Sequence, residues 1–181
     1  MIRKIITVPD PRLRQKSKPV KKINQKIKNL VNDLIETVRV LKEIKGVGLS
    51  AVQVGEAVRV FVVERDKKLA AFINPEITEH SSETLAQRLT EKQRFWEGCL
   101  SVPTYYGAVD RPYQIKMRWQ DVTGQNHEAV FVNKEAAYLQ HEYDHLEGVL
   151  FVDRILAQKG KVYKTEKNNQ DREEMVEVII D

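Results

Sequence analysis

The clearest hydrophobic pattern in the chain is an apolar stripe that begins at Ile23 and ends at Ile44. Apolar residues recur there at steps of three and four, which places them on one face of an α-helix. The stripe consists of Ile23, Ile27, Leu30, Val31, Leu34, Ile35, Val38 and Leu41. Gly46 follows where a C-terminal cap would use positive φ. The pattern predicts a long N-terminal amphipathic helix whose role is packing and not chemistry.

The segments that flank this helix have other patterns. Before it, residues 1–22 carry three prolines, which predict an extended arm because proline fixes φ and restricts its neighbour. After it, Val58 to Val63 and Leu69 to Ile73 are rich in β-forming residues, and Asn74-Pro75 is expected to end the second run. Two strands are therefore predicted after the helix.

A hairpin and a second helix are predicted further along. Tyr113 to Trp119 and His127 to Val132 flank Asp121-Val122-Thr123-Gly124, whose residues favour a tight turn. Asn133 can then cap a helix that runs from Lys134 to about Glu147. Short strands grouped between two helices predict an α+β fold.

Composition narrows the class of protein. The 181 residues fit one domain, 1–181, and the net charge of +4 is more typical of a solvated surface than of a specific nucleic-acid site. Residues 158–181 are expected to form a charged C-terminal extension, whose ending VEVII fits a strand or a helical turn. The single cysteine excludes an internal disulfide. With no apolar run of membrane-spanning length and no signal-peptide pattern at the start, a cytoplasmic location is expected.

The strongest chemical signal is His141-Glu142-Tyr143-Asp144-His145, just before the helix stop signal Gly148. Positions i and i+4 share a helix face, so both imidazoles can reach one ion. Glu142 can take and return a proton without being a ligand. Two surface histidines are the plain alternative, but the chain has only four histidines and Glu142 stands at the required offset. The pattern favours a metal site.

The third ligand must come from elsewhere, because catalytic ions usually have three protein ligands plus water. The acids Glu147 and Asp153 are candidates downstream. Cys99 is favoured because a thiolate is a strong ligand for soft or borderline metals. A lone cysteine is more often a small buried hydrophobe, but Gly98 and Pro103 specify a tight backbone path around this one.

A glycine-rich segment, GVGLSAVQVG from Gly46 to Gly55, is the third feature. Its glycines indicate a close backbone approach to a neighbouring group. The segment follows a helix and its glycine spacing is wrong for a dinucleotide loop. It is either a plain turn or the wall of a cleft in which Gln53 donates a hydrogen bond to a developing oxyanion.

Together these segments resemble the three signature motifs of the peptide deformylase family. GVGLSAVQVG is similar to the first, EGCLSVP (Glu97 to Pro103) to the second and QHEYDHLEG (Gln140 to Gly148) to the third, in the family's order. The opening PDPRL and the later INP are also similar, so the resemblance reaches about Asp153. The expected fold is a single α+β domain of short antiparallel strands packed around a central HExxH metal-binding helix.

The resemblance implies removal of the N-formyl group from formylmethionyl chains, with release of formate. Cys99, His141 and His145 would bind one divalent ion, and Glu142 would act as general base and then as general acid. Fe²⁺ would be the native ion, with Zn²⁺, Ni²⁺ or Co²⁺ as substitutes. The expected partners are N-formylmethionyl nascent peptides and the ribosome near its exit tunnel.

The resemblance also implies roles around the reacting group. The Gln53 side chain and the Leu100 backbone N–H would stabilise the oxyanion, and Gly48 would pair with the substrate backbone. A pocket for the methionine side chain is expected to be lined by Val47, Leu49, Ala137 and Tyr138.

The chain departs from the family pattern at a few positions. Ser50 stands where alanine is usual, Val52 where proline is common, and Thr104 where glycine is frequent. The span before Glu97 is longer than is typical, so residues 79–96, in which Leu85 and Leu89 indicate a short helix, are expected to be an insertion near the cleft. These departures concern substrate preference and cleft access, and none removes a catalytic group.

Other functions remain as rivals. A metallopeptidase would use the same helix, and a ribosome- or RNA-binding module with a deformylase-like fold would need no metal. A mechanism with Cys99 as nucleophile does not explain why Glu142 follows His141.

Overall fold

The computed structural model describes residues 1–41, 48–65, 67–90, 94–167 and 172–179. The α-helices in these ranges are α1 (Gln25–Val40), α2 (Leu85–Arg88), α3 (Asn133–Leu146) and α4 (Phe151–Ala157), and short 3₁₀-helices span Pro11–Arg14 in the N-terminal arm and Ala51–Val54. The strands are β1 (Gly48–Ser50), β2 (Val60–Arg65), β3 (Lys68–His80), β4 (Trp96–Cys99), β5 (Val102–Ala108), β6 (Gln114–Gln120), β7 (Asn126–Val132), β8 (Val162–Lys167) and β9 (Glu173–Val178). All the strand pairs are antiparallel, which confirms the α+β class.

A five-stranded sheet in the order β1-β2-β3-β6-β7 lies between two helices. Val60 and Val62 of β2 pack in the cluster that contains the buried face of α1. Phe61 and Val63 point the other way, into the cluster that contains Leu139 of α3. Because side chains alternate along a strand, a strand covered on both faces is apolar at every position. This arrangement explains the continuous run VFVV.

A second sheet, in the order β4-β5-β8-β9, packs against α4. Its core contains Val102, Phe151, Ile155 and Val162. The C-terminal segment that the sequence left open therefore contributes strand β9. No helix in the described ranges combines the length and apolar character that a membrane crossing requires.

The N-terminal amphipathic helix is shorter than the apolar stripe predicts. It starts at Gln25 because the Asn24 side chain accepts a hydrogen bond from the Ile27 N–H, and Leu41 already has a non-helical backbone. Gly46, predicted as its cap, lies outside the described residues.

The expected end of the second strand at Asn74-Pro75 is wrong, because β3 continues to His80. The pairing with β6 shifts register between Ile73 and Glu76, and Asn74 has a φ of 51°. A bulge of this kind accommodates the missing N–H of proline. The Asn74 side chain bonds the backbone of Val20, which fixes the bulge.

The hairpin and the second helix follow the predictions closely. Gly124 closes the β6–β7 turn with a φ of 89°, a backbone angle that glycine adopts without strain. Helix α3 ends just before Gly148, whose φ is 74°. The expected cap at its start is wrong, because no side chain caps α3 and Asn133 is its first residue. Within 79–96, α2 supplies the short helix that Leu85 indicates.

Candidate active site

The three predicted metal ligands meet between the end of strand β4 and helix α3. Cys99 ends β4, and α3 presents His141 and His145 one turn apart. The Cys99 Sγ lies 3.2 Å from the His145 Nε2, and the candidate ligand atoms of all three residues lie within 4.8 Å of one another. Around a tetrahedral ion such atoms stand roughly 3.5 Å apart. One sulfur and two nitrogens at this spacing form a group that can hold one metal ion.

The two imidazoles have opposite electrostatic surroundings. Burial lowers the pKa of His145 well below its ordinary value, which keeps this ring neutral. Burial also disfavours the charged form of His141, but hydrogen bonds to Cys99 and Glu97 outweigh it and raise the pKa of His141 well above its ordinary value. A proton and a metal ion would therefore compete for His141.

Glu97 orients the His141 ring through its Nδ1 atom. The His141 Nδ1 lies 2.7 Å from the Glu97 Oε2, an arrangement that leaves Nε2 of the ring for an ion. Burial raises the pKa of the Glu97 carboxyl, but the charge and hydrogen bonds of Arg111 overcome this effect and hold the pKa at about 2. Glu97 is therefore a carboxylate at neutral pH.

Arg111 links the metal-ligand helix to strand β4. Its guanidinium donates two hydrogen bonds to Glu97 and one, of 2.9 Å, to Asp144 of α3. The Arg111 side chain is only 4% exposed. Arg154 of α4 completes the group by binding Asp144 from the more exposed side. Sequence reasoning assigned no role to Arg111 or Asp144, because nothing in their local pattern distinguishes them from surface charges.

Glu142 lies against strand β1. Its side chain is buried, and Oε2 accepts a hydrogen bond of 2.6 Å from the Ser50 hydroxyl. Burial raises the pKa of Glu142, while the positive charge of His141 and the Ser50 bond lower it by a smaller amount. A Cβ placed on Gly48 would lie 2.6 Å from the Glu142 Oε1, so this carboxylate requires glycine beside it. A buried carboxyl with a raised pKa is suited to proton transfer near neutral pH.

Gln53 is fixed at both ends of its amide. Its Oε1 accepts a 2.8 Å hydrogen bond from the Ser50 N–H, and its Nε2 donates to the Ser101 hydroxyl at 3.1 Å. The Nε2 also lies 3.6 Å from the Cys99 Sγ. The amide N–H group of Gln53 therefore lies beside the candidate metal ligands, where an oxyanion would need a hydrogen-bond donor.

A cleft of about 680 Å³ opens onto these groups. Tyr138 lines it, and its ring contacts Phe95 edge to face at 5.2 Å. Leu49 and Ala137 are completely buried and do not line the cleft. Val47 lies outside the described residues. The cleft walls also contain Gly48, Gln53, Leu100 and Glu142.

The N-terminal arm ties the three motif segments together. The Ile6 N–H donates to the carbonyl of Gln53, and the Val8 N–H donates to the carbonyl of Ser101, each at 2.9 Å. The Ser17 N–H donates to the carbonyl of Leu146 at 2.8 Å. Each of the glycine-rich, cysteine and histidine segments is thus bonded to one arm.

Comparisons with known proteins show which family this chain is similar to. The family model described as polypeptide deformylase matches residues 2–161. A peptide deformylase of Novosphingobium aromaticivorans is 41% identical, over 85% of this chain and 89% of the relative. The crystal structure of peptide deformylase from Thermotoga maritima superposes with a TM-score of 0.75 at 37% identity, covering 85% of this chain and 97% of that one. The structure of a peptide deformylase from Synechococcus elongatus in complex with actinonin has a TM-score of 0.73 at 31% identity, over 83% and 77% of the two chains.

Proposed function

The chain belongs to the peptide deformylase family, and we propose that its site removes the N-formyl group from the formylmethionine of newly made polypeptides and releases formate. The observation that carries this proposal is the meeting of Cys99, His141 and His145 beside the Glu142 carboxylate. A cysteine ligand sets this arrangement apart from sites built only from histidines and carboxylates.

In this proposal, Cys99, His141 and His145 hold one divalent ion on the central helix α3. Fe²⁺ is the proposed native ion, with Zn²⁺, Ni²⁺ or Co²⁺ as substitutes, because thiolate and imidazole ligands suit this group of metals. When bound, the ion supplies a Lewis acid that polarises the formyl oxygen and makes water a stronger acid.

The neighbouring residues are proposed to transfer the proton, stabilise the oxyanion and bind the substrate backbone. Glu142 takes a proton from the attacking water as the new C–O bond forms at the formyl carbon. It then gives this proton to the amine nitrogen as the C–N bond breaks, so that formate and a free N-terminus result. The Gln53 Nε2 and the Leu100 N–H are the proposed donors to the oxyanion. Gly48 is proposed to pair with the substrate backbone.

The cleft suggests how the substrate binds. Tyr138 and Phe95 form an apolar wall beside the ligands, which suits a methionine side chain. The proposed partners are N-formylmethionyl nascent peptides in the cytoplasm, met near the ribosomal exit tunnel. Residues 79–96 and 158–181 remain the proposed insertion and extension of this catalytic domain.

A formate assay combined with metal analysis tests the proposal. Purified, metal-loaded protein should release formate from formyl-Met-Ala-Ser, lose this activity with a chelator and regain it when Fe²⁺ or Zn²⁺ is restored. Glu142→Gln should keep its metal and lose roughly 10²- to 10⁴-fold in kcat, since its carboxylate moves the proton. Absence of formate release by a fully metallated sample would refute the function.

The same preparation separates the rival functions. Cleavage of an internal peptide bond in an acetylated peptide would indicate a metallopeptidase instead. Salt-dependent RNA binding by a protein that retains no metal would indicate a binding module. Cys99→Ala should abolish stoichiometric metal binding, because the thiolate is one of three ligands; unchanged metal content would remove Cys99 from the site.

A further inference from the structure

Ser50 makes a hydrogen bond to the general base that the catalytic scheme does not use. The Ser50 side chain is completely buried at the end of β1, so no solvent competes for its hydroxyl. Its Oγ lies 2.6 Å from the Glu142 Oε2 and 3.0 Å from the Glu142 carbonyl oxygen. The shorter distance is typical of a hydroxyl that donates to a carboxylate.

The Glu142 carboxylate is confined on both sides by strand β1. The Ser50 hydroxyl holds Oε2, whereas Oε1 lies against Gly48, where no Cβ would fit. A terminal carboxyl torsion is broad when nothing constrains it. Here one oxygen is bonded and the other is packed, so one orientation of the group is selected.

The backbone of the same residue serves Gln53. The Ser50 N–H donates to the Gln53 Oε1, which turns the amide Nε2 towards Ser101 and Cys99. Ser50 therefore contacts two groups with different tasks through different atoms. Replacement by alanine would remove only the bond to Glu142, because the backbone N–H remains.

We propose that Ser50 is a positioning residue for the deformylation reaction, whose hydroxyl holds the Glu142 carboxylate in the orientation that proton transfer needs. This inference rests on the proposed function. Ser50 is neither a lining residue of the cleft nor one of the candidate ligands, so it acts through Glu142. Misplacing a catalytic group by about 1 Å can cost roughly 100-fold in rate. Alanine at position 50 leaves the packing of the Glu142 carboxylate against Gly48 in place. We therefore expect Ser50→Ala to lower kcat by roughly tenfold.

The first test compares Ser50→Ala with wild type on formyl-Met-Ala-Ser, each with its metal restored. The expected result is a kcat lower by roughly tenfold with KM within about twofold, because the lost bond acts on proton transfer and not on substrate binding. Metal content should match wild type, because Ser50 is not one of the candidate ligands. An unchanged kcat would overturn the proposal.

A double-mutant cycle separates positioning from general disturbance. In a Glu142→Gln background the proton is no longer moved by the carboxylate, so adding Ser50→Ala should change the residual kcat less than twofold. Ser101→Ala is the matched control, since Ser101 is equally buried but bonds Gln53, and its effect should persist in that background. An equal loss from Ser50→Ala in both backgrounds would overturn the proposal.

A shape-matched pair covers the case in which alanine disturbs folding or metal content. Thr and Val have the same shape, so Ser50→Thr and Ser50→Val share any steric penalty and differ in the hydroxyl. Ser50→Thr should exceed Ser50→Val in kcat by roughly tenfold. Equal kcat values would overturn the proposal. If wild type itself released no formate, the proposed function would fail, which is a different outcome from a wild type that is active and unaffected by these changes.

Discussion

Replacing Arg111 with methionine should destabilise the protein far more than a typical loss of an ion pair. The guanidinium is 4% exposed, and its partners Glu97 and Asp144 are 2% and 6% exposed. Arg111→Met keeps an apolar chain of similar length but removes the guanidinium that neutralises the buried Glu97 carboxylate. Exposed ion pairs contribute about 0.2–1 kcal/mol. Breaking a buried pair costs about 3–5 kcal/mol, because the partner charge stays buried.

Most of the stability lost in Arg111→Met should come from the effect on Glu97. Asp144 retains the two hydrogen bonds from Arg154, whereas, among the described residues, Glu97 retains only the contact with His141. We therefore expect a loss of about 4 kcal/mol in the free energy of unfolding. For a chain of this size each kcal/mol lowers the melting temperature by about 2–4 °C.

Urea unfolding of metal-free protein at neutral pH measures this loss through the midpoint at constant m value. Arg154→Met is the matched control, because its side chain is 48% exposed and bonds the same Asp144; it should cost about 1 kcal/mol or less. Adding Glu97→Gln to Arg111→Met should recover part of the loss, since the stranded charge disappears. If Arg111→Met lowers the free energy of unfolding no more than Arg154→Met does, the buried ion pair does not stabilise the protein as proposed.

Two further outcomes follow from the site. Gly48→Ala should lower kcat by roughly 100-fold without metal loss, because its Cβ would force the Glu142 carboxylate to move; a wild-type kcat in the formate assay would contradict this. Because the pKa of folded Glu97 is depressed to about 2 from 4.5, its stabilising contribution is complete above about pH 4.5 and disappears as pH falls towards 2. As pH falls from 4.5 towards 2, the free energy of unfolding should decrease less steeply for Glu97→Gln than for wild type. Parallel pH curves for the two proteins would show that Glu97 does not have the depressed pKa.

Local patterns predicted those parts of the fold that local forces determine. The hairpin around Gly124 was predicted because its turn residues and strand alternation lie within one short stretch. The metal ligands were predictable because a helix places His141 and His145 on one face whatever surrounds it. The bulge at Asn74 has no local signal, because it depends on a bond to Val20, more than 50 residues away.

Other features depend on contacts that the sequence does not reveal. Apolar character indicates that Leu49 and Ala137 are buried, but not whether they face the core or the cleft. Arg111 resembles a surface charge until the fold places Glu97 and Asp144 around it. The bond between Ser50 and Glu142 spans 92 positions and is visible only in three dimensions.

The N-terminal arm has a consequence for how the protein becomes active. Its hydrogen bonds to Gln53, Ser101 and Leu146 join parts of the chain that are distant in sequence, so the loop-closure entropy of the whole domain must be overcome before the ligands meet. An isolated peptide of helix α3 would therefore hold metal weakly. In the intact chain, tight metal retention would report that the entire domain has finished folding.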